Sequence, residues 1–184
     1  MTISLRNTYT TFTAGEAEKI TGVSATTQRD WRRRGFLDAP QGWARYELVD
    51  LCELLVMSAL QERGIGPATS CNISAASALG LSFFVLSWVD AIDDRTNGEF
   101  EKLVRQRGEP RGRFFVQPSE TEPSKYIIVW ASGEVEFVKD ILRAFSDLSS
   151  SPKYHGAIIV LDLEALAGLL IERAGRPFVS VELR

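Results

Sequence analysis

The sequence predicts an α+β protein, with an N-terminal winged helix-turn-helix domain followed by a small α/β C-terminal domain with a mixed sheet. Three observations carry this. Residues 12–51 hold two capped helical segments separated by a glycine turn, then a ribbon-like stretch. From Ala25 to Tyr46 five arginines face two aspartates, a net charge of +3 in a chain that sums to −3. Beyond residue 113 the pattern changes to short aromatic and β-branched runs set between helical periods.

In chain order, Thr13 can cap a first helix, with Glu16 three residues later to close a capping box. Ala14, Ala17 and Ile20 form its short inner face. Gly22 permits a tight turn, and Ser24 is an N-cap for a second helix that runs to about Arg34 before Gly35 stops it. So short a turn leaves only two helices packed at a steep angle, the helix-turn-helix geometry. A basic helix on an otherwise acidic chain is the footprint of a module that docks phosphates with one face. A solvated surface helix would carry the same charge run, but not the turn signature before it.

The stretch GVSATTQRDWRRRGFL followed by GWARYELVDL resembles the MerR family of winged-helix transcriptional regulators. Arg29 matches the family arginine of the recognition helix, Trp31 its second aromatic, and Gly35, Phe36 and Leu37 its exit. Gly42, Trp43, Arg45, Tyr46 and Asp50 fall on the wing and the helix after it. The resemblance covers about residues 12–66. It implies a homodimer on palindromic double-stranded DNA, and a packing role for Trp31 within the module. Three departures stand out. Ala44 replaces a wing arginine, which predicts fewer phosphate contacts. Gln28 replaces a core leucine, which puts a polar group where the helix should pack. The segment that follows lacks the long heptad helix of the family, so the pairing surface is expected beyond residue 66.

The candidate DNA-binding residues are Thr26, Thr27, Arg29, Arg32, Arg33, Arg34, Trp43, Arg45 and Tyr46. Arg29 and Arg33, four apart on one helix face, are expected in the major groove, where arginine pairs bidentately with guanine. Arg32, Arg45 and the wing around Trp43 are expected on backbone phosphates.

Further along, Leu48, Leu51, Cys52, Leu55 and Ala59 recur at helical spacing opposite Glu47, Asp50 and Glu53, which predicts an amphipathic helix over 47–63. Pro67 starts another, small-residue helix through Ala78. The segment from Leu81 to Ile92 is apolar on most sides and must be buried, as a core helix, a strand or a subunit contact. Residues 105–113, RQRGEPRGR, read as an interdomain linker or hinge in preference to a second phosphate-contacting arm. RFFVQ, KYIIVW and VEFV read as strands, 138–147 as a helix, SSSPKYHG as a loop, AIIVLDL as a buried strand, 164–174 as a helix and RPFVSVEL as a terminal strand. The expected division is 1–79 as the DNA-binding domain, 80–112 as an apolar connector with a basic linker, and 113–184 as a domain for oligomerisation or sensing.

Other function classes find little support. His155 is the one histidine, and there is no GxSxG elbow, GxxxxGK[ST] or GxGxxG loop, so no catalytic set is assigned. Cys52 and Cys71 lack CxxC spacing or a neighbouring histidine and read as buried free thiols. Asp93 and Asp94 read as a solvated turn, and Asp162 with Glu164 as the start of a helix. No metal or cofactor is expected. The N-terminus has no signal-peptide pattern, and no span nears the roughly 18 uninterrupted apolar residues of a membrane helix, so the cytoplasm is the expected location with no membrane partner. The expected function is a sequence-specific, homodimeric transcriptional regulator, with a small-molecule or protein effector at the C-terminal domain. The alternative is a phage or plasmid DNA-binding accessory or assembly protein whose C-terminal domain is a protein-interaction module.

Overall fold

A computed structural model describes residues 4–38, 45–116, 122–146 and 156–184. Two short strands, β1 (Leu5–Tyr9) and β2 (Phe12–Thr13), lead into the helix-turn-helix, α1 (Ala14–Thr21) and α2 (Ala25–Arg33). Strand β3 (Arg45–Tyr46) pairs antiparallel with β2, Phe12 opposite Tyr46 and Thr13 opposite Arg45. Helices α3 (Leu48–Gln61) and α4 (Pro67–Val85) follow, then β4 (Ile92–Asp94) and α5 (Glu99–Arg107). The remainder runs β5 (Tyr126–Val129), β6 (Val135–Val138), α6 (Ile141–Phe145), β7 (Ile159–Asp162), α7 (Leu163–Ala174) and β8 (Val179–Leu183).

Helix α3 is the axis of the core. Nine of its residues are buried, including Leu51, Leu54, Val56, Met57 and Leu60, so the helix is enclosed on most sides rather than on one face. Helix α4 packs against it and against α7, and buries Ser70, Ile73, Ser74, Ser77, Ala78, Leu81, Ser82, Phe83 and Val85. The serines let the two backbones approach. Their hydroxyls are satisfied within α4 itself, Ser82 donating to the Ala78 carbonyl at 2.8 Å and Ser77 to Ser74 at 3.0 Å. Helix α4 is long and apolar enough to cross a membrane by length and composition, and half of it is buried against the rest of the chain. The apolar run after Leu81 thus resolves into the last turn and a half of α4, a 3-10 turn and β4.

The expected mixed sheet is present, and a second, antiparallel three-stranded sheet stands beside it in the fold. In one, β8 lies between β1, antiparallel, and β4, parallel. The other, in the order β6-β5-β7, is antiparallel throughout. The mixed sheet therefore joins the two ends of the chain, with Leu5 opposite Leu183 and Tyr9 opposite Val179.

The basic linker is also corrected. Residues 105–107 finish α5, and Arg111–Phe114 form a 3-10 turn packed under α4. A Cβ on Gly112 would come within 2.4 Å of the Phe83 carbonyl oxygen, so only glycine allows this approach. Arg111 clamps Glu101 with two bonds of 2.7 Å, which holds the Glu101 carboxyl below its usual range. The expected strand RFFVQ is absent from the described residues 113–116 because Phe114 and Phe115 turn onto Phe100, ring centroids 5.3 and 5.7 Å away. The helix expected over 138–147 is the shorter α6, and Asp147 lies outside the described residues, as does most of the SSSPKYHG loop with His155. Asp162 caps α7, accepting from the Glu164 and Ala165 amides.

The C-terminal elements pack directly on the helix-turn-helix. Phe178 stacks at 5.5 Å on Phe12, whose ring also carries the Arg176 guanidinium at 4.5 Å. Arg176 reaches the Glu16 carboxylate at 2.8 Å, and Arg173 donates to the Ile20 carbonyl at 3.2 Å. One apolar cluster runs continuously from Ala17 and Ile20 through α3 and α4 to Ala167, Leu170 and Val179.

Candidate nucleic-acid interface

The turn between α1 and α2 is built as its residues dictate. Thr13 and Glu16 form the capping box, the Thr13 amide donating to Glu16 at 2.7 Å and the Glu16 amide to Thr13 Oγ1 at 3.3 Å. The Thr13 amide and the Thr13 hydroxyl, which donates to the same carboxylate at 2.8 Å, then the nearby Arg176 and Arg45 cations, hold the Glu16 carboxyl below its usual range. Gly22 ends α1 at φ +78°, a left-handed conformation that Cβ-bearing residues resist. Ser24 then accepts from the Thr27 amide at 3.1 Å to cap α2, and Glu18 accepts from the Ala25 amide at 3.0 Å.

Helix α2 buries Gln28 and Trp31 and turns its other side outward. Arg29 is exposed one turn above Arg33 on that side and Thr26 two turns above it, and the four residues Thr26, Arg29, Asp30 and Arg33 line a shallow depression. Arg29 donates a hydrogen bond to the Thr26 hydroxyl at 3.3 Å and makes no ion pair among the described residues. Arg33 and Arg34 share Asp30, at 2.6 and 2.9 Å, while the Arg33 side chain stays 78% exposed. Arg45 is exposed on β3 and meets no carboxylate within ion-pair reach among the described residues. Thr27 is half-buried, its hydroxyl 2.9 Å from that of Ser24, so its first duty is to the cap.

Two of the expected contacts change role, and one lies outside the described residues. Tyr46 is 1% exposed and cannot touch a duplex. Its hydroxyl donates to Gln28 Oε1 at 2.6 Å, and burial pushes its pKa up. Arg32 is half-buried, its guanidinium 4.6 Å over the Tyr46 ring and its Nε donating to the Asp38 carbonyl at 3.2 Å. It is held by the protein before any phosphate. Trp43 lies outside the described residues. Gln28 is the informative surprise: a polar residue at a packing position, fully buried, with its amide nitrogen donating to the Val23 carbonyl at 2.7 Å. Trp31 is buried, in line with a core role. Of the two thiols, Cys52 is buried, 3.5 Å from the Ser82 hydroxyl, with its pKa pushed up to about 12 by burial. Cys71 is only half-buried, which corrects the reading of two buried thiols.

Sequence reasoning missed Asp30 as a partner for two arginines, although the spacings of three and four residues carry that signal. It gave no hint that Gln28 and Tyr46 would meet.

Residues 12–70 match the family model of the MerR HTH family regulatory proteins. No curated protein matches the chain. The match extends from β2 through the helix-turn-helix and α3 into the first turn of α4. The chain thus carries a MerR-type helix-turn-helix in its N-terminal part, followed by a small sheet-containing region. This match points to a DNA-binding transcriptional regulator.

Proposed function

We propose that the chain is a sequence-specific, double-stranded-DNA-binding transcriptional regulator that acts as a cytoplasmic homodimer. The observation that carries this reading is the exposed arginine side of α2 within the MerR-matched segment, with Arg29 free of any carboxylate among the described residues. Arg29 and Arg33 are the proposed base readers, and Arg34 and Arg45 the proposed phosphate contacts, with Thr26 beside them. Arg32 and Thr27 support this surface from below. Dimerisation would use apolar residues beyond 66, of which Trp88 and Val89 are 46% and 58% exposed. An effector would sit in the cleft of about 370 Å³ between α4 and the antiparallel sheet, lined by Ser77, Leu79, Pro123, Phe137 and Lys139 among others.

Duplex affinity should fall with salt at a log-log slope more negative than about −3, at roughly −0.9 per neutralised phosphate. A flat response would remove the proposed face. Once a genome-wide binding map has supplied the cognate site, Arg29→Ala should weaken it by about 1–3 kcal/mol and random DNA less, while Arg45→Ala weakens both alike. Equal losses for Arg29→Ala would end its assignment as a base reader. Light scattering that finds a monomer, free and on DNA, would end the homodimer.

A further inference from the structure

Beneath the exposed arginines, the described chain at Asp38 and at Tyr46 is tied to α2. At the first, Arg32 Nε donates to the Asp38 carbonyl at 3.2 Å. At the second, the Tyr46 hydroxyl donates to Gln28 Oε1 at 2.6 Å, and Gln28 passes the connection to the turn through the Val23 carbonyl at 2.7 Å. The two ties meet on one ring, because the Arg32 guanidinium lies 4.6 Å over Tyr46. Strand β3 is two residues long and pairs with β2 through only two residue pairs. So short a ribbon has little stiffness of its own.

The chemistry at position 28 adds direction to what packing alone would give. An apolar side chain of similar volume would fill the same buried space yet offer the Tyr46 hydroxyl no acceptor. A buried hydrogen bond of 2.6 Å between two side chains that are 0% and 1% exposed fixes both distance and angle. Arg45, next to Tyr46, is thereby placed relative to Arg29 and Arg33.

We propose that Gln28 and Tyr46 are positioning residues that lock strand β3 to the recognition helix α2, so that Arg45 and the arginines of α2 meet one duplex as a rigid unit. The proposal rests on the duplex-binding reading above and adds to it the means by which α2 and β3 act together.

The test uses the full chain, a mixed-sequence duplex and four variants, the fourth combining Tyr46→Phe with Arg45→Ala. Tyr46→Phe keeps the ring and removes the donor. Gln28→Met with Tyr46→Phe leaves neither member of the pair stranded, which guards against a variant that merely fails to fold. Arg45→Ala removes the β3 cation. Tyr46→Phe should weaken duplex binding about threefold to tenfold, the worth of one directed hydrogen bond. Its salt slope should become less steep by about 1, matching that of Arg45→Ala, because the β3 cation no longer reaches its phosphate. Adding Arg45→Ala to Tyr46→Phe should then cost nothing further. The double substitution at 28 and 46, which still leaves the Val23 carbonyl without its Gln28 donor, should recover only part of the thermal stability lost in Tyr46→Phe, without recovering affinity or slope. Wild-type affinity and slope in Tyr46→Phe would overturn the proposal, as would recovery of both together with stability in the double variant. A wild-type protein that binds no duplex would overturn the duplex-binding reading and this proposal together, whereas a loss confined to the variants leaves that reading standing.

Discussion

Asp30 is the residue that most restrains the cationic face. It sits between Arg29 and the pair Arg33 and Arg34, and it holds both of the latter within 2.9 Å. Exposed ion pairs of this kind are worth little to stability, so the aspartate costs the fold almost nothing to lose. Its effect on a polyanion is larger, since it both repels phosphate and occupies two guanidinium groups. Asp30→Asn should therefore raise affinity for mixed-sequence duplex and steepen the salt slope by about 1 for each phosphate gained. A loss of affinity confined to the cognate site would instead assign Asp30 to cytosine recognition. The Glu101 and Arg111 pair behaves differently, being about a quarter exposed and doubly bonded. The Arg111 hydrogen bonds hold the folded-state pKa of Glu101 below its unfolded value, so the stabilisation is present above the ordinary glutamate value of 4.5 and is lost as the pH falls through the folded pKa. Glu101→Gln should cost about 1 kcal/mol at neutral pH, and denaturant melts should show the gap closing in acid. A gap that persists unchanged at low pH would assign the cost to packing.

At the scale of elements, the caps were legible because their signals are local. Thr13 with Glu16, Ser24 and Asp162 each bond amides two or three residues away, and each was readable from spacing alone. The candidate site was legible to the same depth: the arginines and their face follow from helical period, while the burial of Tyr46 and its bond to Gln28, eighteen residues away, do not. Strand β1 escaped for a related reason. Four of its five residues are exposed, so it has no alternation, and its partner lies at the other end of the chain. The stretch at 111–116 failed by tertiary override, since aromatic residues with strand propensity are used to cover Phe100 in a 3-10 turn. That turn gives a sharp test. A methyl group on Gly112 meets the Phe83 backbone at 2.4 Å and the Ser87 hydroxyl at 2.8 Å, and a carbonyl inside α4 has nowhere to move. Gly112→Ala should destabilise by about 1–3 kcal/mol, read as a fall of several degrees in Tm. An unchanged Tm would mean that the turn is a free linker after all.

At the scale of the molecule, the helix-turn-helix does not own its core. Phe12 begins the MerR-matched segment, yet its ring is covered by Phe178 and Arg176, and Ile20 is braced from behind by Arg173 of α7. Thr10 is held at both its amide and its hydroxyl, by the carbonyls of Phe178 and Pro177, each at 2.9 Å. Burial of Ala17 and Ile20 to 0% and 3% depends on the same apolar cluster that includes Leu170 and Val179. A fragment of residues 1–66 would expose these side chains together with the buried surface of α3 that faces α4. Since native stability is a small difference between large terms, losing one whole wall of the core exceeds what the remaining contacts supply. The fragment should therefore be unfolded in isolation, with little helical circular dichroism and no cooperative melt. Phe178→Ala in the full chain should cost about 3–5 kcal/mol while leaving every residue of the α2 face in place. Duplex binding by that variant should vanish with its thermal transition and return on cooling below it. A cooperative melt from the isolated fragment would show instead that the module stands alone and that the C-terminal elements merely lean on it.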